Sequence, residues 1–255
     1  MTPRYVALGS SMAAGPGLAP SAPGAPGRSG RSAVNYAHLV AQQLGYHLVD
    51  VTFSGATTAH VLSERQFGVS PQIRALDGTE DLVTVTIGGN DAGYVPMLAA
   101  ACLPRVLRSV PLVGGVLRGQ LDHAARDRAL DIVGESLKTV GREVRLRAPK
   151  ARVLFVDYLT LLPPAGTPAP PIADADAEFG RHVAARLAEL TATAVAETGC
   201  ELVPAAAASV DHHAWSAAPW TTSFYLPLPG RVAPLHPNAA GMRSVAALIV
   251  KALQT

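Results

Sequence analysis

Two serines, Ser10 and Ser11, stand where an early apolar run gives way to the small-residue stretch "GSSMAAG". A hydroxyl is a poor nucleophile until a base takes its proton and donors receive the charge that develops on the attacked carbonyl. Small residues after the serines allow a tight turn into a helix start, whose free backbone N–H groups can meet that charge. The same residues also suit an ordinary helix cap. Three other places offer complementary groups. Gly55, in "FSGATT", lets the backbone approach a ligand closely and present its N–H. Asn90, in "IGGND", carries an amide that can donate, and Asp91 beside it suits a cap better than a catalytic acid. His236, in "PLHPNAAG", sits between Pro234 and Pro237 on a loop stiff enough to hold a general base in reach of a hydroxyl.

These groups need a frame. Short apolar runs at residues 5–8, 48–53, 82–87, 153–156 and 201–203 have the composition of strands covered on both faces. Helical patterns at 33–44, 124–146, 173–197 and 239–253 alternate with them. Such alternation predicts a three-layer α/β/α domain spanning residues 1–255, with five parallel strands. Ser11 then follows the first strand, Gly55 the second and Asn90 the third, while His236 precedes the last helix. All four fall at the carboxyl edge of the sheet, where open α/β folds gather their functional groups.

Composition narrows the class of function. A net charge of +2 over 255 residues leaves no concentrated basic face for nucleic acid. The densest basic stretch, "REVRLRAPKAR" at 142–152, is the wet side of a helix and a following turn. No apolar run is long enough to cross a bilayer. No basic segment followed by an apolar one opens the chain, so the expected location is cytoplasmic, or secreted if a leader has been removed. Cys102 and Cys200 lie in no metal-binding spacing, and whether they bridge stays open. Adjacent side chains rarely converge on one ion, so Asp211-His212-His213 carries no metal expectation. No metal or cofactor is expected.

Three stretches interrupt the strand–helix rhythm. Residues 15–32, rich in Pro, Gly and Ser, form a rim loop. Residues 103–121 are either a core-packing insertion or a flap over a pocket. The stretch 214–234 contains Trp215, Trp220, Phe224 and Tyr225 and leads to His236, which makes these aromatics candidates to line a substrate site.

In this order the blocks "GSS" at 9–11, Gly55, "GGND" at 88–91 and "HPNAAG" at 236–241 resemble the SGNH hydrolase superfamily, the GDSL esterases and lipases. The opening, the "APW" at 218–220 and the ending are most similar to its actinobacterial and fungal esterase branch. The resemblance spans nearly the whole chain and implies a flavodoxin-like fold without a cofactor. It implies Ser11 as nucleophile, His236 as base, and an oxyanion hole made by the Ser11 N–H, the Gly55 N–H and the Asn90 amide. Two departures stand out. Ser10 occupies the place of the usual aspartate. Ala233 occupies the place of the acid that orients the histidine, and no Asp or Glu occurs from His212 onward. The backbone carbonyl of Ala233 is then the expected orienting group, with Asp211 as the alternative. The implied substrate is a small ester with an apolar acyl group. Alternatives are carbohydrate deacetylation on the same residues, a silent ligand-binding protein that kept the fold, and an α/β-hydrolase suggested by the near Gly-x-Ser-x-Gly match at 9–13.

Overall fold

The structure is a computed structural model describing residues 2–111, 113–228 and 230–254. In chain order its elements are β1 Arg4–Gly9, α1 Ser11–Ala14, α2 Tyr36–Leu44, β2 His47–Asp50, α3 Thr58–Leu62, β3 Leu82–Thr86 and α4 Tyr94–Cys102. There follow α5 Val113–Gln120, α6 His123–Arg147, β4 Arg152–Val156, α7 Asp174–Thr198, β5 Glu201–Val203, α8 Ala205–Ala208 and α9 Ala239–Leu253.

The strands form one parallel sheet in the order β2-β1-β3-β4-β5. Alternating side chains divide its two faces. From β1, Val6 and Leu8 enter one core and Tyr5 and Ala7 the other. From β4, Val153 and Phe155 go to the first and Leu154 and Val156 to the second. Helices α3, α4, α6 and α7 cover the first face, and α2 and α9 the second. On α6 the buried residues Leu130, Val133, Leu137, Val140 and Val144 recur at three- and four-residue intervals, giving one apolar stripe. Gly134 and Gly141 let α6 meet α7 closely: a Cβ there would stand 2.8 Å from Leu190 and 2.5 Å from Thr198. Two buried tyrosine hydroxyls are paired on the sheet, Tyr5 with Thr84 and Tyr36 with Thr86, each at 2.8 Å.

Two boundaries differ by three residues from the sequence expectation, and one stretch differs in character. Helix α2 starts at Tyr36 rather than at residue 33, because the Asn35 side chain accepts from the His38 N–H and caps it. Strand β2 ends at Asp50 rather than at residue 53, because the Asp50 carboxylate turns the chain by accepting from the Thr52 N–H and hydroxyl. The 103–121 stretch is no core insertion: its 3₁₀ turn Arg105–Ser109 buries nothing, and α5 buries only Gly114 and Leu117. The basic 142–152 stretch is the end of α6 and a turn, with Arg147 paired to Glu143 and Arg152 to Glu201. Cys102 and Cys200 are free thiols. Among the described residues, no helix is long and apolar enough to cross a membrane.

Candidate active site

The order of strands reverses between β1 and β3, and the crevice beyond their carboxyl ends is where such sheets bind ligands. Gly9 closes β1 at φ 150°, with its missing Cβ only 2.6 Å from the Thr86 carbonyl oxygen, so a side chain would collide with β3. The buried Gln72 side chain holds this point from both sides, accepting the Gly9 N–H at 2.7 Å and donating to its carbonyl at 3.0 Å. Ser11 is then the first residue of α1, a position whose N–H has no intrahelical acceptor.

The turns after β2 and β3 are drawn to the same place. Phe53 donates to the Gly9 carbonyl and Ser10 to the Thr86 carbonyl, each at 2.9 Å. Gly55 follows with φ 78°, leaving its N–H without a protein acceptor among the described residues. The Asn90 amide donates to the Ala56 carbonyl at 2.8 Å, which fixes its plane beside Gly55 and leaves its second N–H unused. Asp91 accepts from the Thr58 N–H and hydroxyl, capping α3 across the chain rather than its own helix.

His236 closes the arrangement. Its Nε2 lies 2.7 Å from the Ser11 Oγ, and both residues are buried. Its Nδ1 lies 2.8 Å from the Pro234 carbonyl oxygen. A carbonyl can only accept, so Nδ1 carries the proton and Nε2 presents a lone pair to the serine hydroxyl. Burial lowers the His236 pKa from its ordinary value, the charged ring being costly there, and the Pro234 carbonyl offsets part of that.

The orienting group therefore differs from both expectations. Leu235 takes φ 60°, and this left-handed step folds the Pro234 carbonyl back onto the ring two residues on. The Ala233 carbonyl is already taken by the Thr222 hydroxyl at 2.8 Å, and its N–H by Pro16. Asp211 sits exposed in the short turn Val210–His212 and makes no hydrogen bond to His236. Thr222 was not expected from the sequence. Its hydroxyl accepts the His236 N–H at 3.2 Å, and its own N–H donates to the His236 carbonyl at 2.8 Å.

Ser10, where the family's aspartate usually stands, is buried with its hydroxyl 3.2 Å from the Tyr158 hydroxyl, which also accepts the Gly89 N–H at 2.9 Å. Tyr158 thus ties the Ser10-Ser11 turn to the Gly88-Gly89 turn, and burial raises its pKa to about 12. Of the four candidate aromatics, Trp215 donates to the Pro170 carbonyl and Trp220 stacks on His212 at 4.2 Å. Tyr225 donates to the Val232 carbonyl, and Phe224 packs against the larger core. They brace the loop that carries His236, and no hydrogen bond or ring contact among the described residues joins any of them to Ser11. His212 and His213 likewise serve the loop, paired with the Ala218 carbonyl and the Trp215 N–H.

Known proteins share this layout. A family model described as the GDSL-like lipase/acylhydrolase family matches residues 7–244. "Lipase 2" of Streptomyces coelicolor is 36% identical, over 95% of this chain and 83% of its own length. The crystal structure of phospholipase A1 from Streptomyces albidoflavus superposes with a TM-score of 0.80 at 25% identity, covering all of both chains. The extracellular lipase of Streptomyces rimosus superposes at 0.79 with 26% identity, again over both whole chains. With its five-stranded sheet and its serine and histidine blocks in the same order, this chain belongs to the GDSL-like lipase/acylhydrolase family.

Proposed function

We propose that the protein hydrolyses carboxylic esters through an acyl-enzyme on Ser11, with His236 as general base. The observation that carries this is the 2.7 Å approach of His236 Nε2 to Ser11 Oγ with Nδ1 committed to a carbonyl. In the first step Nε2 takes the hydroxyl proton as Oγ attacks the ester carbonyl. The Ser11 N–H, the Gly55 N–H and the free N–H of Asn90 receive the oxyanion. The imidazolium then gives its Nε2 proton to the departing alcohol, and water releases the acyl group by the same sequence. Throughout, the positive ring faces a neutral carbonyl rather than a carboxylate. A carboxylate would add the attraction of a full opposite charge, which a carbonyl dipole lacks, so this dyad stabilises imidazolium less than a triad does.

The nucleophile follows the first strand, which sets aside an α/β-hydrolase, whose serine comes after several strands. A cavity of about 290 Å³ beside Tyr158 is lined by Leu159, Leu161, Leu162 and Ala188 but by none of Ser11, Gly55, Asn90 or His236, so it carries no argument for the acyl group. The S. coelicolor and S. rimosus relatives are named lipases, which supports lipid esters as the substrate class, and the extracellular description of the latter supports secretion. Labelling with a fluorophosphonate probe tests the core of the scheme. Wild type and Ser10→Ala are expected to label, and Ser11→Ala and His236→Ala to lose labelling. Labelling that survives Ser11→Ala would refute the assignment. Turnover rising from acetyl to medium-chain p-nitrophenyl esters is the expected sign of an apolar acyl site.

A further inference from the structure

Between Asp91 and Asp122 the chain has no acidic residue but three arginines, Arg105, Arg108 and Arg118. This stretch folds as α4, the 3₁₀ turn Arg105–Ser109 and α5. Its outer side is apolar: Val106 is 71% exposed, Val116 65%, Val113 48% and Val110 39%. Helix α5 turns Gly114 and Leu117 inward, with Gly114 against the Arg108 carbonyl, and leaves Val113 and Val116 outside. A short helix that is apolar on its outer side as well as its inner one is matched to a second apolar medium.

The position of this surface says which medium. Arg108 pairs with Asp176 in the first turn of α7, and α5 leads directly into Asp122, the cap of α6. Helices α6 and α7 each run into the next parallel strand, so both begin at the carboxyl edge, the edge that carries Ser11 and His236. Phe67, exposed and stacked on Phe53 just beyond β2, lies at that end too, as do the exposed Leu226 and Leu228 on the loop leading to His236. Cations stand among these apolar groups. Arg105 is exposed with no partner among the described residues, Arg118 donates to the Arg108 carbonyl, and Arg28 and Arg231 lie over Phe67 and Tyr225. A second copy meeting this face through a two-fold axis would set arginine against arginine. A lipid surface bearing phosphates complements both the valines and the arginines.

We propose that the end of the molecule holding Ser11 docks on an anionic lipid–water interface, with the Arg105–Ser109 turn and α5 as its docking element. This goes beyond the ester-hydrolase assignment and is tested apart from it, using the Ser11→Ala protein that cannot degrade the lipid. That protein is sedimented with vesicles of phosphatidylcholine alone and of phosphatidylcholine with one third phosphatidylglycerol. It is expected to pellet with the mixed vesicles and to stay largely in solution with the neutral ones. Val113→Asp with Val116→Asp is expected to weaken partitioning roughly 100-fold, from the apolar area lost and the charge gained. Arg105→Ala is expected to weaken it about fivefold. Both sets of substitutions, made in the active protein, leave hydrolysis of soluble p-nitrophenyl acetate unchanged, which shows that they fold. Three outcomes overturn the proposal: no pelleting with anionic vesicles, pelleting indifferent to the aspartates, or a solution dimer dispersed by the aspartates without any vesicle binding.

Discussion

At the scale of single residues, the proposed chemistry turns on a histidine that must be neutral to act and is buried where its charged form is disfavoured. Its lowered pKa keeps Nε2 unprotonated at pH values where an exposed histidine would already carry a proton. Protonation removes the base, so the acid limb of kcat/KM is expected at a midpoint below the ordinary value of about 6.5. A pH–rate profile with a limb at or above that value would contradict this. The Pro234 carbonyl works only while Leu235 holds its left-handed turn, and Thr222 binds the loop on both sides of that turn. Thr222→Val removes the hydroxyl bonds and is expected to lower kcat about 10- to 100-fold with little change in KM. Thr222→Ser, which keeps them, is expected to restore most of the loss; equal losses in the two variants would leave Thr222 a packing residue only. Asn90→Ala, removing one of the proposed oxyanion donors, is expected to cost about 100- to 1,000-fold in kcat. The sequence marked the Ser10–Ser11 pair at a strand end and His236 at a helix start, and only the family resemblance chose Ser11 over Ser10. The orienting group could not be read in either way. Every residue carries a carbonyl, and the choice of Pro234 over Ala233 depends on a backbone angle at Leu235 that no side-chain type announces.

At the scale of elements, carboxylates fasten the starts of short helices that would not persist alone. Asp91 does this for α3, and Asp157, just past β4, for α8, accepting the Ala206 N–H at 2.8 Å. Burial raises the Asp157 pKa to about 6, ahead of the opposing backbone hydrogen bonds. A raised carboxyl pKa means that the folded state binds its proton more tightly than the unfolded chain. Its contribution is fully present below about pH 4 and is lost as pH rises through about 6, a change of about 2 to 3 kcal/mol. Asp157→Asn keeps an acceptor for Ala206 and cannot ionise. It is expected to raise Tm relative to wild type at pH 7.5 and to match it at pH 4, as thermal melts at the two values would show. An Asn variant less stable at pH 7.5 would mean that the charge strengthens the cap more than burial penalises it. The sheet was legible because β1, β3 and β4 are short β-branched and apolar runs, buried on both faces and bounded by turn formers. Helix α4 was not. Its buried residues Tyr94, Met97, Leu98, Ala100, Ala101 and Cys102 leave little polar face, and a helix covered on most sides shows no periodicity to read.

At the scale of the whole molecule, the groups proposed for catalysis come from residue 11 and residue 236, so the site exists only when both ends of the chain are folded together. Strand β1 is hydrogen-bonded to β2 on one side and β3 on the other, and its side chains enter both cores. Helix α9, the last element, packs beside α2 in the second core, against Tyr5 and Ala7 of the first strand. Removing α2 or α9 would uncover the face of β1 that carries Tyr5 and Ala7, and the apolar area exposed would penalise such a half-folded form. We therefore infer that the chain is one folding unit. In a urea titration, far-ultraviolet circular dichroism, fluorescence of Trp215 and Trp220, and residual hydrolysis of a soluble ester are expected to share one midpoint. The tryptophans report the loop that carries His236 and the dichroism reports mainly the helices, so the three signals sample different parts of the chain. Activity lost well before the helices melt would show instead that the His236 loop, pinned by Thr222 and the Thr221–Pro237 bridge, opens as a unit of its own.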